Sequence, residues 1–425
     1  MNKFEAEISG KKVLIFGLGR QGGGTGDLAW LDRHGAITRI SDQDLSLCSE
    51  GQTKEQIDWA DILLKNPGVP DDHELILYAK SLSKPVYTSI ALFVKYASVK
   101  TIGVTGTRGK STTVALITSL LDKAFPGSVI SGGNIAGTSG LALFDDQVGK
   151  SYAVLELSSF QLHNFHDLAV SPNIAIITNL YPDHLNRYAS MADYQSDKEA
   201  CVRYQKATDL TFYNQDNAGA VAISQSSTGI LASFSAGGVS DWDTQLPGFH
   251  NRENIAAMWS LAQALNISET LARQTVKDFA GVPFRQEKVA EVNGVTYIND
   301  TTSTTPTASI KALQAATSPT IWITGGDDKK LPFDALINEV KNNSQLKKIV
   351  ILGSKNIPGY LASLSAVARD KIVGTAQSMK EAIELARTVA RPGDAILLSP
   401  GFASFDLFQN EFDRGRQFND IVKSL

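Results

Sequence analysis

The run Gly106-Thr107-Arg108-Gly109-Lys110-Ser111-Thr112 follows an apolar stretch, Thr101 to Val104, and precedes a helix-period segment, Val114 to Leu121. Strand, small-residue loop and helix in that order are the setting in which backbone N–H groups curl around phosphate oxygens. The helix N-terminus adds positive potential, Lys110 has the reach for the β- and γ-phosphates, and the Ser111 hydroxyl is a magnesium ligand by type. A strict phosphate loop asks for a glycine at position 104, where this chain has Val104, so the loop is a variant of the usual pattern. A magnesium nucleotide also needs acids nearby, and ligands of open α/β sheets collect at the carboxyl ends of strands. Glu156 ends the apolar run Tyr152 to Leu155, and Asp183 and His184 lie just beyond Ile174 to Asn179. Alone they read as a strand-end acid and a loop histidine; beside a phosphate loop they become metal-ligand candidates. Lys198, inside the helical stretch Met191 to Gln205, is by itself an ordinary solvated lysine.

A second glycine loop opens the chain. Gly17-Leu18-Gly19-Arg20-Gln21-Gly22 follows a strand at Lys12 to Phe16, and Asp42 ends the next strand, which satisfies the dinucleotide fingerprint literally. The same loop geometry holds any pyrophosphate, including that of a sugar nucleotide, and hydride transfer would leave the second loop unexplained. The glycines continue to Gly26, and their backbone freedom predicts a delayed helix start.

These loops need strands and helices to hold them. Short β-branched runs repeatedly precede a turn and a helix-period segment, the pattern of parallel sheets covered by helices. Strands are also expected at Ile62 to Lys65, Val86 to Thr88, Thr296 to Ile298, Thr320 to Thr324, Lys348 to Leu352 and Asp394 to Leu398, and Ser224 to Thr244 suits short strands and loops. The fold class is α/β in three domains: a Rossmann-like N-terminal domain over 1–97, a central phosphate-loop domain with a parallel sheet over 98–283, and a Rossmann-like C-terminal domain over 284–425. Composition agrees with globular domains, since 425 residues with 43% hydrophobic and 20% charged positions can bury several cores. A net charge of −4 without a basic run argues against nucleic acid, and only Cys48 and Cys201 are present, so no disulfide framework is encoded. No stretch approaches a membrane span, and a cytoplasmic monomer is expected.

With these residues assembled, the chain resembles the Mur ligases, the ATP-dependent amino-acid ligases of peptidoglycan precursor synthesis, and among them the MurD type. The ordered matches include Gly17-Leu18-Gly19, Asn66-Pro67-Gly68-Val69, the phosphate loop, Gly133-Asn134, Glu156 to Leu162, Asp183-His184, Lys198, His250-Asn251 with Asn254, Arg285, Asn299-Asp300, Gly325-Gly326-Asp327 and Ser399-Pro400 with Ser404. The resemblance implies that ATP phosphorylates a substrate carboxylate and an incoming amine attacks the acyl phosphate. It implies ATP contacts from Gly106 to Thr112, Asn251, Asn254, Arg285 and Asp300, with catalysis by Lys110, Glu156, His184 and Lys198. Two magnesium sites follow, one on Ser111 and Glu156 and one on Glu156, His184 and Lys198, the lysine as a carbamate. UDP-N-acetylmuramoyl-L-alanine would meet Gly19, Arg20, Asp42, Gly68 and Asn134, and glutamate would meet Thr304, Lys329 and Ser404. A folylpolyglutamate synthase-like ligase and a non-catalytic nucleotide-binding regulator are the competing readings.

The departures gather at the amino-acid site. The family signature Asp-Ser-Lys-Ala-Thr-Asn reads Asp300-Thr301-Thr302-Ser303-Thr304-Thr305 here, so its lysine is lost at Thr302, and the aromatic position that closes the pocket reads Glu411, with Phe412 beside it. One cation fewer and one acid more leave D-glutamate, L-glutamate or another amino acid open, while Lys329 argues for an acidic one.

Overall fold

A computed structural model describes the chain apart from residues 1–2, 20–21, 46, 49–50, 136, 184–186, 247, 329–330, 354, 356 and 405–406. Its first sheet is parallel throughout, in the order β2-β1-β3-β4, with β1 at Lys12–Phe16, β2 at Ile37–Ser41, β3 at Ile62–Lys65 and β4 at Val86–Tyr87. The second is also parallel, in the order β10-β9-β8-β5-β7-β6. It comprises β5 (Lys100–Thr105), β6 (Val129–Gly133), β7 (Tyr152–Glu156), β8 (Ile174–Ile177), β9 (Leu210–Asn214) and β10 (Ile230–Phe234). Every residue of β8 is buried, as expected of a central strand covered on both faces.

The third sheet runs β11-β12-β16-β13-β14-β15, from β11 (Glu287–Val292), β12 (Val295–Asn299), β13 (Thr320–Thr324), β14 (Leu346–Leu352), β15 (Ile372–Ala376) and β16 (Ala395–Leu398). Its one antiparallel pairing is β11 on β12, a two-residue hairpin at an edge. The chain divides into two compact units, Met1–Phe279 and Ala280–Leu425. In the first unit one core cluster joins Ile15, Trp30 and Phe93 to Leu155, Leu157 and Phe165, so the first two sheets share buried side chains. Cys48 and Cys201 are both free, and no helix among the described residues is long and apolar enough to cross a membrane.

The expected delay in the first helix does not occur. The helix Gly23–Arg33 begins inside the glycine run, with Gly22 at φ 87° as its N-cap. The physical reason is close packing: a Cβ on Gly24 would lie 2.2 Å from the Leu18 carbonyl oxygen, and one on Gly26 would lie 2.6 Å from Ser139 Cβ. Asp27 completes that contact, its carboxylate accepting from the Leu141 N–H at 3.0 Å and from the Ser139 hydroxyl. Gly24→Ala should therefore destabilise the protein by about 1–3 kcal/mol, the usual cost of overpacking. Thermal unfolding against a Gly238→Ala control, whose new methyl meets nothing within 4 Å, checks this; equal midpoints would refute it.

Candidate active site

The phosphate loop joins β5 to the helix Lys110–Ala124, whose N-cap, Gly109, has φ 84°. A side chain at Gly109 would also collide with Asn254 Oδ1, 2.3 Å from its Cβ, so conformation and contact both demand glycine. Asn254 lies within the helix Phe249–Ala264, is buried, accepts from the Thr113 hydroxyl and donates to Asn251 Oδ1 at 3.1 Å. The two asparagines thus brace the loop from inside a helix rather than capping one. On its other side the loop is tied to the end of β8: the Arg108 N–H donates to Asn179 Oδ1 at 2.9 Å, and the Thr178 hydroxyl donates to the Arg108 carbonyl at 2.7 Å. Thr178, Asn179 and Thr113 carry no local sequence signature, because the adjacency of β5 and β8 is a long-range pairing.

Two lysines converge on one oxygen of this loop. Lys110 Nζ and Lys198 Nζ each donate to the Gly106 carbonyl at 3.0 Å. Lys198 is 1% exposed, not solvated, and sits on the helix Met191–Arg203 with its amine 4.7 Å from the Tyr194 ring centroid. Burial, and then the neighbouring Lys110 charge, hold its pKa well below the usual lysine range. Arg108 is exposed, while Ser111 and Thr112 occupy the first turn of the helix, half-buried.

Glu156 ends β7 directly beside Val104 of β5 and is 4% exposed. It is followed by a capping box, in which Ser158 and Gln161 satisfy each other's backbone N–H groups and start the helix Ser159–Leu168. The Glu156 Oε1 accepts from Asn134 Nδ2 at 3.0 Å, and the Asn134 N–H donates to the Glu156 carbonyl at 2.7 Å. Asn134 in turn lines a cleft of about 370 Å³ together with Gly17, Gly19, Asn66, Gly68 and Phe160. The Asp42 Oδ2 accepts from the Leu18 and Gly19 N–H groups at 2.7 and 3.2 Å, tying the first glycine turn to the end of β2. Arg20 and His184 lie outside the described residues; Asp183 is exposed. Among the described residues no cluster of three His, Cys, Asp or Glu side chains is arranged to hold a metal.

In the second unit, Asp300 is 5% exposed, and burial raises its pKa. Its carboxylate accepts from the hydroxyls of Ser303 and Ser399 and from the Gln286 N–H, so it clamps its own loop. Arg285 is exposed between Phe284 and Gln286, both at positive φ, and has no ion-pair partner among the described residues. Thr302, at the lost signature lysine, donates its hydroxyl to the Phe284 carbonyl at 2.9 Å. Thr304 is half-buried; Ser404 is 2% exposed, its hydroxyl without a hydrogen-bond partner among the described residues, and Lys329 lies outside them. Glu411 opens the last helix, and Phe412 packs edge-on against Phe284 at 6.0 Å.

Residues 104–245 match the model of the Mur ligase middle domain, and residues 284–402 match that of the Mur ligase glutamate ligase domain. A UDP-N-acetylmuramoylalanine–D-glutamate ligase of Roseiflexus sp. (strain RS-1) is 33% identical across 99% of this chain and 100% of its own length. The chain belongs to the Mur ligase family. A second relative of the same name, from Acetivibrio thermocellus, is 31% identical over 100% of this Mur ligase and 99% of itself. Solved structures agree on the fold. The UDP-N-acetylmuramate-alanine ligase MurC of Thermotoga maritima matches this Mur ligase with a TM-score of 0.59 at 17% identity, covering 97% of this chain and 99% of its own. The MurF ligase of Thermotoga maritima in complex with ADP matches at 0.56 and 16% identity, with 99% and 97% covered.

Proposed function

We propose that this Mur ligase joins D-glutamate to UDP-N-acetylmuramoyl-L-alanine by ATP-dependent amide ligation, in cytoplasmic peptidoglycan precursor synthesis. The observation that carries the reading is Asn134, which lines the cleft built by the two N-terminal glycine turns and hydrogen-bonds Glu156 beside the phosphate-loop strand. Sugar-nucleotide and triphosphate chemistry thus meet at one residue pair. Relatives named for D-glutamate addition over nearly the whole chain support the substrate assignment. The division into domains over 1–97, 98–283 and 284–425 assigns them to sugar nucleotide, ATP and amino acid, with the protein acting as a monomer on small molecules.

In this mechanism an alanyl carboxylate oxygen of the UDP substrate attacks the γ-phosphorus and ADP leaves. The glutamate amine then attacks the acyl carbon, and the tetrahedral intermediate expels phosphate as the nitrogen loses its proton. Lys110 and the loop amides stabilise the transferring phosphoryl group, where positioning and electrostatics supply most of the rate. Asn251 and Asn254 hold the loop and would contact the adenine side, Arg285 would reach a phosphate, and Asp300 would meet the ribose. Thr304, Lys329 and Ser404 receive the amino acid.

The donor set fits magnesium in part. The Glu156 carboxylate and the Ser111 hydroxyl are hard oxygen ligands, His184 is a third candidate, and the Lys198 amine is unsuitable as it stands. Its lowered pKa favours the free amine, which adds to carbon dioxide to give a carbamate and a proton. That would turn the amine beside Lys110 into an oxygen donor. When bound, the metal would neutralise phosphate charge.

Asp42 orders the first glycine loop in this reading. Asp42→Ala would free two loop amides and should raise KM for the UDP substrate on the order of tenfold, the scale of one unsatisfied buried group, while KM for ATP stays unchanged. Steady-state kinetics with each substrate varied tests it, and parallel rises in both constants would remove the assigned role. L-glutamate is the second reading, motivated by Thr302 and Glu411 where the family has a lysine and an aromatic residue.

A further inference from the structure

The helix Ser159–Leu168 carries a histidine that the reaction does not use. His163 Nδ1 lies 2.8 Å from Asp197 Oδ1, and its Nε2 lies 3.5 Å from Asp71 Oδ2. Asp71 also pairs with Lys65 Nζ at 2.9 Å, and Lys65, 2% exposed, donates to the Val69 carbonyl at 2.8 Å. Lys65 and Val69 bracket the Asn66-Pro67-Gly68 turn that lines the cleft. At the other end Asp197 is 7% exposed and precedes Lys198, whose amine donates to Gly106 of the phosphate loop. Polar contacts therefore run from the substrate turn through one imidazole to Asp197, the chain neighbour of the lysine that holds the phosphate loop.

The charged groups facing His163 are Asp197, Asp71 and Lys65, with Lys80 3.5 Å from Asp71 on its far side. The hydrogen bond to Asp197 outweighs burial, and both carboxylate charges add to it, so the His163 pKa lies above the usual range. Burial alone would raise the Asp71 carboxyl, but Lys65, His163 and Lys80 together bring it below the usual range. The imidazole thus bridges two acids on different elements. Removing either contact leaves one acid short of a partner, at opposite ends of the series.

We propose that His163 is a positioning residue that couples the sugar-nucleotide cleft to the phosphate loop, through Lys65 and Asp71 on one side and Asp197 and Lys198 on the other. This rests on the reading of the cleft as the UDP-substrate site. Coupling is a free energy shared by two sites and is measured as one.

The test titrates the full chain with magnesium AMP-PNP by calorimetry, with and without saturating UDP-N-acetylmuramoyl-L-alanine. The proteins are wild type, His163→Asn, His163→Gln and Asp71→Asn. The asparagine amide can replace Nδ1 toward Asp197, and the glutamine amide can replace Nε2 toward Asp71. In wild type the sugar nucleotide should change AMP-PNP affinity at least about fivefold, the lower end of ordinary coupling. All three variants should lose that response, and Asp71→Asn should also shift AMP-PNP affinity without sugar nucleotide, although Asp71 belongs to the cleft side. Thermal midpoints separate this from a structural role, which would lower stability and leave the coupling ratio intact. A wild-type ratio of one, or a ratio retained in all three variants, overturns the proposal. If the sugar nucleotide does not bind at all, the functional reading fails, and the Asp71→Asn shift with AMP-PNP alone still decides the relay: no shift overturns it.

Discussion

Lys110→Ala should abolish ATP-dependent phosphate release while the protein stays folded. Lys110 Nζ sits over the loop on the carbonyls of Gly106 and Thr107, at 3.0 and 3.2 Å, so its ammonium is already held where phosphate charge would arrive. It is half-buried at the first helical residue, and truncation leaves no core cavity. Removing one preorganised donor from developing charge costs on the order of 10²–10³ in kcat, and a full cation in the loop should reach at least the upper end. Phosphate release with saturating substrates reads the effect, and thermal unfolding shows that the fold is kept. A loss smaller than about tenfold would remove Lys110 from the transfer step.

The second large effect belongs to Lys198. Lys198→Ala should lower kcat on a similar scale, because the alanine variant lacks both the buried amine at Gly106 and any carbamate formed from it. Short carboxylates such as acetate should restore part of the activity by supplying the missing oxygen ligand, and they should do nothing for Lys110→Ala. Lys198 is 1% exposed, so some stability is lost as well, and the comparison must be made below the unfolding midpoint. Activity that carboxylates leave unchanged would count against the carbamate and favour a plain amine role. The sign of the pH effect follows from the depressed pKa: lowering pH protonates the amine and opposes carbamate formation.

Much of the site was legible because its signals are local. The phosphate loop announces itself by a strand, three small residues and a helix start, and Glu156 by its place at the end of an apolar run. The glycine run at 22–26 reads as slack, whereas its reason is the close approach of the Leu18 carbonyl and Ser139, which only folding brings near. Lys198 looked solvated because a helix lysine carries no mark of the face it occupies. Asp42 showed its place but not its partners, the Leu18 and Gly19 amides. Strands such as β6, ending in Ser131-Gly132-Gly133, and β11, with alternating charges, carry too little apolar pattern to be read alone. The polar series through His163 joins residues nearly a hundred positions apart, beyond any spacing argument.

At the amino-acid site the sequence and the relatives point in different directions, Thr302 and Glu411 against the D-glutamate ligases. Phosphate release would be followed with ATP, magnesium and UDP-N-acetylmuramoyl-L-alanine, with D-glutamate, L-glutamate and the remaining amino acids supplied separately and products weighed by mass spectrometry. Turnover is expected with D-glutamate, giving a product heavier by one glutamyl residue, with Thr302 and Glu411 tolerated. Turnover confined to L-glutamate would contradict the stereochemical assignment, and no turnover with any amino acid would contradict the ligase reading itself.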